Sequence, residues 1–253
     1  MGTTKEEPPA ADAGQGVAAE PADDRIPGSA PEAAPVAGVP GLGVLPPWYP
    51  VPFLVVVIAV VQILLPDTVT VGPLWLIPVI ELVGIPLSWA IWHLARTGAF
   101  DLSEEVLNKA MAVYLCFLAC ASALNAMLLL RTLLFDVGET PARLLVAGFA
   151  VLAINVLTFG LIYWWLDGGG PRKRALGLSR SWDFQFPQQA SGEDWTPTMI
   201  DYLFTAYTNI IAFSPTDTMP LTHRVKALFT IQSAISLVTV LVTVSRAINM
   251  LPM

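Results

Sequence analysis

Long apolar runs separated by short polar breaks dominate the chain from residue 47 onward. A helix that crosses the hydrocarbon core of a membrane needs about 20 largely apolar residues. Five runs are of about this length, over 47–65, 73–95, 106–135, 142–166 and 225–251. Trp and Tyr cluster near the ends of several runs, which is typical of the aromatic belt at a membrane surface. The pattern predicts an all-α fold, a polytopic helical membrane protein with about five transmembrane helices.

A sixth apolar segment, 198–213, is shorter than a comfortable span and ends at Ser214-Pro215. Irregular backbone at membrane depth is tolerated only where it is buried in protein or lines a cavity. We therefore predict a short amphipathic helix in a re-entrant hairpin, which resembles a pore helix, before the last span. A loosely packed sixth span is the alternative.

Composition divides the rest of the chain. Residues 1–46 contain ten Ala, eight Pro and seven Gly and carry a net charge of −5, so they predict a disordered acidic tail. A four-helix transmembrane region over 47–170 ends at the Gly-Gly-Gly-Pro stop 168–171. A polar and aromatic loop, 171–197, follows, and the hairpin and last helix occupy 198–253.

The low charge content excludes several classes of protein. Only 13% of the residues are charged, about half the share in soluble domains, so an ordinary soluble enzyme is excluded. No catalytic arrangement, phosphate-binding loop or metal motif is visible. We therefore expect neither enzymatic activity nor a cofactor, a metal site or nucleic acid binding; the expected partners are the lipid bilayer and further copies of the chain.

Glu81, Asn125 and Asn155 are polar residues inside predicted spans, and Arg131 lies near the end of the third span, where its side chain can reach the membrane surface. Such groups are costly in a membrane and face a bundle interior or a cavity. We expect Glu81 to pair with a hydroxyl, amide or cation, or to be protonated. The two asparagines are expected to hydrogen-bond across a helix interface.

Two sets of polar residues mark a candidate ion path. The first is the turn after the hairpin helix, with Ser214, Thr216, Asp217 and Thr218. The second is a stripe at helical spacing on the last span, formed by Gln232, Ser236, Thr239 and Thr243. In a symmetric oligomer the turn would form rings of oxygens suited to hard cations. The alternatives are that Asp217 or Thr218 caps the last helix and that the stripe is a tight helix interface.

The segment 201–228 resembles the pore loop and inner helix of the two-transmembrane ion-channel family. Asp217 and Pro220 keep the Asp-x-x-Pro spacing of that family, and 204–212 resembles its pore helix. The positions that match the potassium filter, 212–216, hold no glycine and one proline. The resemblance implies cation passage with weak discrimination between potassium and sodium.

A longer pattern is similar to a family of uncharacterised bacterial, largely actinobacterial, integral membrane proteins. It comprises Trp165-Leu-Asp-Gly-Gly-Gly-Pro171, Asp183-Phe-Gln-Phe-Pro187 and the run from Ala212 to Leu221. This resemblance implies a location in the bacterial plasma membrane and no established activity.

The distribution of Lys and Arg predicts a cytoplasmic amino terminus. With five spans and a re-entrant hairpin, ten of these residues lie on the amino-terminal side and three, Arg131, Arg143 and Arg246, on the other. Cytoplasmic loops carry the excess of positive charge. The hairpin would then enter from the cytoplasm, opposite to potassium channels.

The leading functional hypothesis is an oligomeric channel-like or transport protein with weakly selective passage of an inorganic cation. The alternative is a non-conducting membrane scaffold that binds a partner through its aromatic loop and acidic tail. Sequence alone leaves open the transported species, the gating, the oligomer number and the physiological role.

Overall fold

The computed structural model of this chain describes residues 1–2, 50–70, 73–96, 104–135, 140–175, 177–179, 181–191, 195–211 and 217–249. Almost all of the predicted tail, 1–46, lies outside the described residues, and so do Ser214 and Thr216. Every described residue from Pro50 onward belongs to one unit, 44–253.

Helices account for most of the described chain, so the all-α prediction is confirmed. The elements are, in order, α1 (Pro50–Ile63), α2 (Leu76–Arg96), α3 (Glu104–Phe135), α4 (Pro141–Leu166), α5 (Pro171–Ala175), β1 (Phe184–Gln185), α6 (Pro187–Ala190), α7 (Met199–Ile211), β2 (Met219–Pro220) and α8 (His223–Asn249). By length and composition α3, α4 and α8 are able to cross a membrane. The apolar stretches of α1 and α2 are shorter.

The sequence determines both ends of α4 locally. At its start Pro141 occupies the first turn and the Thr140 hydroxyl accepts a hydrogen bond from the Arg143 backbone N–H, at 3.5 Å. At its end Gly168, Gly169 and Gly170 all have positive φ, from +59° to +106°. This left-handed backbone, which glycine adopts without steric cost, stops the helix where the sequence predicts it.

The central helix of the bundle is α4, which packs against α1, α3, α7 and α8. Half of its residues are buried, and they include Asn155, Thr158 and Tyr163 among apolar neighbours. The other long helices bury narrower faces and leave many large apolar side chains exposed. A bundle with a half-buried central helix and many apolar side chains on its outer surface is compatible with a membrane protein.

The segment that contains α7 starts at the carboxyl end of α4 and returns to the same end before α8 begins. The α7 residue Tyr202 contacts Asp167, directly after α4. After residues 212–216 the chain lies beside α7 again, because the Thr218 and Thr205 hydroxyls are 3.0 Å apart. Strand β2 then pairs antiparallel with β1, with Phe184 opposite Pro220. The start of α7 and the start of α8 therefore lie at the same end of α4.

Two glycines on α4 allow close helix crossings. A Cβ at Gly160 would lie 2.6 Å from Leu203 Cδ2 and 3.3 Å from Leu203 Cα of α7. A Cβ at Gly148 would lie 2.6 Å from Thr243 Cγ2 of α8. Small residues at such crossings let backbones approach closely, as is common in membrane bundles.

The crossing of α4 and α7 generates a testable prediction. Gly160→Leu should lower the free energy of unfolding by about 1–3 kcal/mol, because the side chain overlaps the α7 backbone at Leu203. Ala153→Leu places the same side chain on an exposed position of α4 and is the control. Thermal unfolding of both variants in detergent measures the difference, and an equal loss in both would contradict the proposed crossing.

Candidate functional site

A buried carboxyl group, that of Asp167, organises the end of α4. Its Oδ1 accepts hydrogen bonds from the backbone N–H groups of Asp183, at 2.8 Å, and Phe184, at 3.2 Å. Its Oδ2 accepts a 2.6 Å hydrogen bond from the Tyr202 hydroxyl, and its backbone carbonyl accepts one from Arg174 Nη1. One residue therefore joins α4, the loop and α7.

The donors around Asp167 oppose the effect of its burial. Burial disfavours the charged carboxylate of Asp167, whereas the hydrogen bonds from Tyr202 and the backbone and the nearby Arg174 charge stabilise it. The Arg174 guanidinium lies over the Tyr202 ring, 5.4 Å from its centroid. The positive charge of Arg174 therefore lies close to both Tyr202 and Asp167. Its attraction to the carboxylate offsets part of the free-energy cost of burying that group.

A second buried carboxylate, Asp183, holds the start of α8. It accepts hydrogen bonds from Thr222 Oγ1 at 2.7 Å and from Arg224 Nε at 2.8 Å and Nη2 at 2.5 Å. Asp183 is 1% exposed whereas Arg224 is 54% exposed. The Asp183 backbone carbonyl also accepts from the Leu221 N–H. The loop is thereby joined to the first turn of α8.

Aromatic rings fill the space between these carboxylates and the bundle. Phe184 lies at the centre, with ring centroids 5.3 Å from Tyr163, 5.8 Å from Tyr202 and 5.8 Å from Phe229. Phe186 joins this cluster through Tyr202 and Trp195. The rings exclude water from the carboxylates, so each polar contact there is stronger than it would be at the surface.

The predicted turn residues have separate environments. Asp217 is exposed, and Thr218 is buried against Thr205. Neither caps the last helix, because α8 begins at His223 and the Lys226 N–H bonds the Thr222 carbonyl. The capping alternative is therefore wrong. Ser214 and Thr216 lie outside the described residues.

Gln232 is the centre of a polar network inside the chain. Its Oε1 accepts hydrogen bonds from the Tyr163 hydroxyl at 2.6 Å and from Asn209 Nδ2 at 2.8 Å. Its Nε2 donates to the Ala206 carbonyl at 3.1 Å. Ser233 Oγ adds a bond to Asn209 Oδ1. The network joins α4 and α8 to the carboxyl end of α7.

The rest of the α8 stripe also faces the interior of the chain. Ser236 donates to Asn155 Oδ1 at 3.4 Å, Thr239 donates to the Ile235 carbonyl, and Thr243 contacts Gly148. Gln232, Ser236 and Thr239 have no exposed surface, and Thr243 is 6% exposed. Of the two interpretations of the stripe, these contacts fit a helix interface within the chain and not a pore shared between copies, because a residue buried against its own α4 cannot face a shared axis.

Several buried polar atoms near this stripe have no hydrogen-bond partner among the described residues. On α4 and α8 they are Asn155 Nδ2, Thr158 Oγ1 and Thr243 Oγ1; on the buried side of α3 they are Ser122 Oγ and both amide atoms of Asn125. Helix α3 packs against both α4 and α8. Asn125 therefore makes none of the interhelical bonds expected for it within the described residues, and Asn155 makes one.

Glu81 lies apart from this group, at the contact between α1 and α2. It is 1% exposed, and its Oε1 accepts a 2.8 Å hydrogen bond from Gln62 Nε2. Among the residues that the structure describes, no three His, Cys, Asp or Glu side chains come close enough to hold a metal ion.

Sequence reasoning missed Gln62, Asp167, Asp183, Tyr163 and Asn209 as site residues. Gln62 had a detectable signal, because it is the sole polar residue of α1. The others gain their partners only from elements distant in sequence, such as Gln232, 69 positions after Tyr163.

The carboxylate at Asp167 generates the second prediction. Asp167→Ala leaves two backbone N–H groups and the Tyr202 hydroxyl without their acceptor, at a cost of about 1–3 kcal/mol for each buried group. We expect the loop 177–191 to become a site of rapid proteolytic cleavage. Tyr202→Phe removes only one of the three bonds and is the control. Equal resistance of the wild type and Asp167→Ala to a protease would contradict this role.

Comparison of the chain with models of protein families, with curated proteins and with solved structures found no match.

Proposed function

We propose that the chain is an integral membrane protein in which α1, α2, α3, α4 and α8 cross the bilayer and α7 is the helix of a re-entrant hairpin. Three of these helices have the required length and apolarity. The hairpin proposal is supported by the contacts of Thr218 with Thr205 and of Tyr202 with Asp167, since both ends of the hairpin lie beside the same end of α4.

The depth of the hairpin follows from its contact with α8. Asn209, near the end of α7, bonds Gln232, which is nine positions after the start of α8. At 1.5 Å per residue this corresponds to about 14 Å. The hydrocarbon core is about 30 Å thick, so the hairpin ends near its middle.

We place the amino terminus and the loop 171–197 in the cytoplasm of a bacterial cell. Ten of the thirteen Lys and Arg residues then lie on the cytoplasmic side. The hairpin enters from that side, and Asp217 lies at its cytoplasmic mouth.

The proposed activity is the passage of small inorganic cations, with weak selectivity, through the polar interior between α3, α4 and α8. One observation carries it: buried hydroxyl and amide groups on all three helices lack hydrogen-bond partners among the described residues. Such groups cost free energy unless water or a solute satisfies them. Hydroxyl and amide oxygens are suitable ligands for hard cations, and the absence of glycine from 212–216 is the reason to expect weak selectivity.

The Gln232 network closes this interior on the hairpin side. Tyr163 and Asn209 both donate to Gln232 Oε1, so the three side chains fill the region between α4, α8 and the carboxyl end of α7. Passage requires α7 to move relative to α8. The hairpin is accordingly the proposed gate, and each copy of the chain in an oligomer has its own path.

A scaffold function is the second candidate and is favoured by the outer face of α7. Ile200, Phe204, Tyr207 and Ile211 form an exposed stripe, each at least half exposed. Such a stripe provides a surface for a partner helix or a second copy of the chain.

Labelling of single cysteines tests the topology. In a chain with Cys116→Ala and Cys120→Ala, Gln188→Cys and Asp217→Cys should both be protected from an impermeant thiol reagent in intact cells. Asn249→Cys, at the other end of α8, should be labelled. If 198–213 were a full span, the thiols introduced at positions 188 and 217 would react from opposite sides of the membrane.

Cation flux into proteoliposomes tests the activity. Asn155→Leu should lower flux at least tenfold, because it places an apolar side chain in the proposed path. Ala153→Leu, on the exposed side of the same helix, should leave flux unchanged. Asp217→Asn should lower cation flux relative to anion flux, since it removes a negative charge at the mouth. A wild-type protein that carries no current over a range of salts and voltages would exclude conduction and favour the scaffold function.

A further inference from the structure

The contact between α1 and α2 contains a buried pair with an unusual balance of donors and acceptors. Glu81 Oε1 accepts a 2.8 Å hydrogen bond from Gln62 Nε2, and the two residues are 1% and 2% exposed. The other carboxyl oxygen, Glu81 Oε2, and the amide oxygen, Gln62 Oε1, are both buried and have no hydrogen-bond partner among the described residues.

An ionised carboxylate cannot satisfy this arrangement. A carboxylate oxygen and an amide oxygen can only accept hydrogen bonds. Glu81 Oε2 and Gln62 Oε1 therefore cannot bond each other, because neither carries a hydrogen to donate. One added proton on Glu81 Oε2 supplies the missing donor. A carboxylic acid and a primary amide then form two hydrogen bonds in a ring, N–H to oxygen and O–H to oxygen.

The surroundings also favour the neutral acid. Helix α1 has no ionisable side chain, and the ionisable side chains of α2 besides Glu81 are His93 and Arg96, more than three turns further along. From α3, the Tyr114 hydroxyl donates to the backbone carbonyl of Glu81 at 2.9 Å, not to its side chain.

Charged side chains on the other neighbouring elements do not neutralise Glu81. Among those whose side chains the structure describes are Asp67, Lys109, Arg131 and Arg143, all exposed; Glu104 and Glu105, at the start of α3, are acidic and cannot supply a cation. Within the described part of the chain, the Gln62 amide is the only group bonded to the Glu81 side chain. Burial without a cation disfavours a charge.

We propose that Gln62 and Glu81 form a proton-binding site in which the protonated Glu81 carboxyl donates through Oε2 to Gln62 Oε1. Release of the proton to water leaves a negative charge on Glu81 and breaks one of the two hydrogen bonds between α1 and α2. Protonation therefore controls the contact of these helices. The site does not depend on conduction through the α3–α4–α8 interior.

Infrared spectroscopy of the full chain in lipid nanodiscs tests the proposal. We expect a C=O band of a protonated carboxyl group at neutral pH that is lost in Glu81→Gln and retained in Asp67→Asn, a variant of an exposed carboxylate. Gln62→Leu removes the amide donor to the C=O group and should shift the band to higher frequency. This variant tests the pair even if Glu81→Gln does not fold. A neutral-pH spectrum without a band assignable to Glu81 would overturn the proposal.

Stability as a function of pH gives a second, independent measurement. The folded chain accommodates the neutral acid, so its stability is complete at acidic pH and declines as the pH rises through the titration of Glu81. Glu81→Gln imitates the neutral acid with an amide and should remove this part of the decline. Restoration of alkaline stability by sodium chloride, but not by choline chloride, together with the absence of the carboxyl band, would replace the proton site by a cation site. Because neither measurement requires transport, failure of the proton site is distinguishable from failure of the proposed conduction.

Discussion

The cost of burying polar groups among apolar helices governs the architecture of this chain. At the end of α4, Asp167 is buried and must have its acceptor capacity filled. The loop supplies two backbone N–H groups and α7 supplies the Tyr202 hydroxyl. These three donors come from segments that are separated along the chain and that also meet through the α4–α7 crossing and the aromatic cluster. The hydrogen bonds to this one carboxylate therefore contribute to where the loop lies and where α7 joins α4.

The same constraint applies to the contacts of α7 and α8. Asp183, positioned by Asp167, fixes the first turn of α8 through Thr222 and Arg224. Further into the bundle, Gln232 Oε1 accepts hydrogen bonds from both the Tyr163 hydroxyl and the Asn209 amide. Each polar cluster joins elements that are distant in the chain, and the aromatic rings between the clusters exclude water. The polar groups near the carboxyl end of α4 are consequently well satisfied, because Asp167, Asp183 and Gln232 are buried and have their hydrogen-bond partners within the described residues.

The rest of the bundle differs in this respect. Around Asn125 and Asn155 the buried polar atoms are incompletely bonded within the described residues, and the Gln62–Glu81 pair requires a proton to complete its bonds. Buried polar groups without partners are sites where water, ions or protons bind, because each binding event supplies a missing interaction. The proposed function follows this contrast: a well-bonded hairpin holds the structure, and a poorly bonded interior provides the chemistry.

The sequence by itself determined the helical class, the approximate bounds of α2, α3, α4 and α8, and the stop after α4, because these depend on local apolar length and on glycine conformation. It also indicated that the polar residues of α8 share one stripe, since helical period alone requires this. It did not determine the direction in which the stripe faces. In a membrane the lipid and the bundle interior are both apolar, so the hydrophobic pattern does not distinguish inside from outside. Three contacts were decided by the tertiary structure alone: Gln232 with Tyr163, Gln62 with Glu81, and Asp167 with its three donors. Each of them joins segments that are separated along the chain, so local sequence patterns do not reveal them.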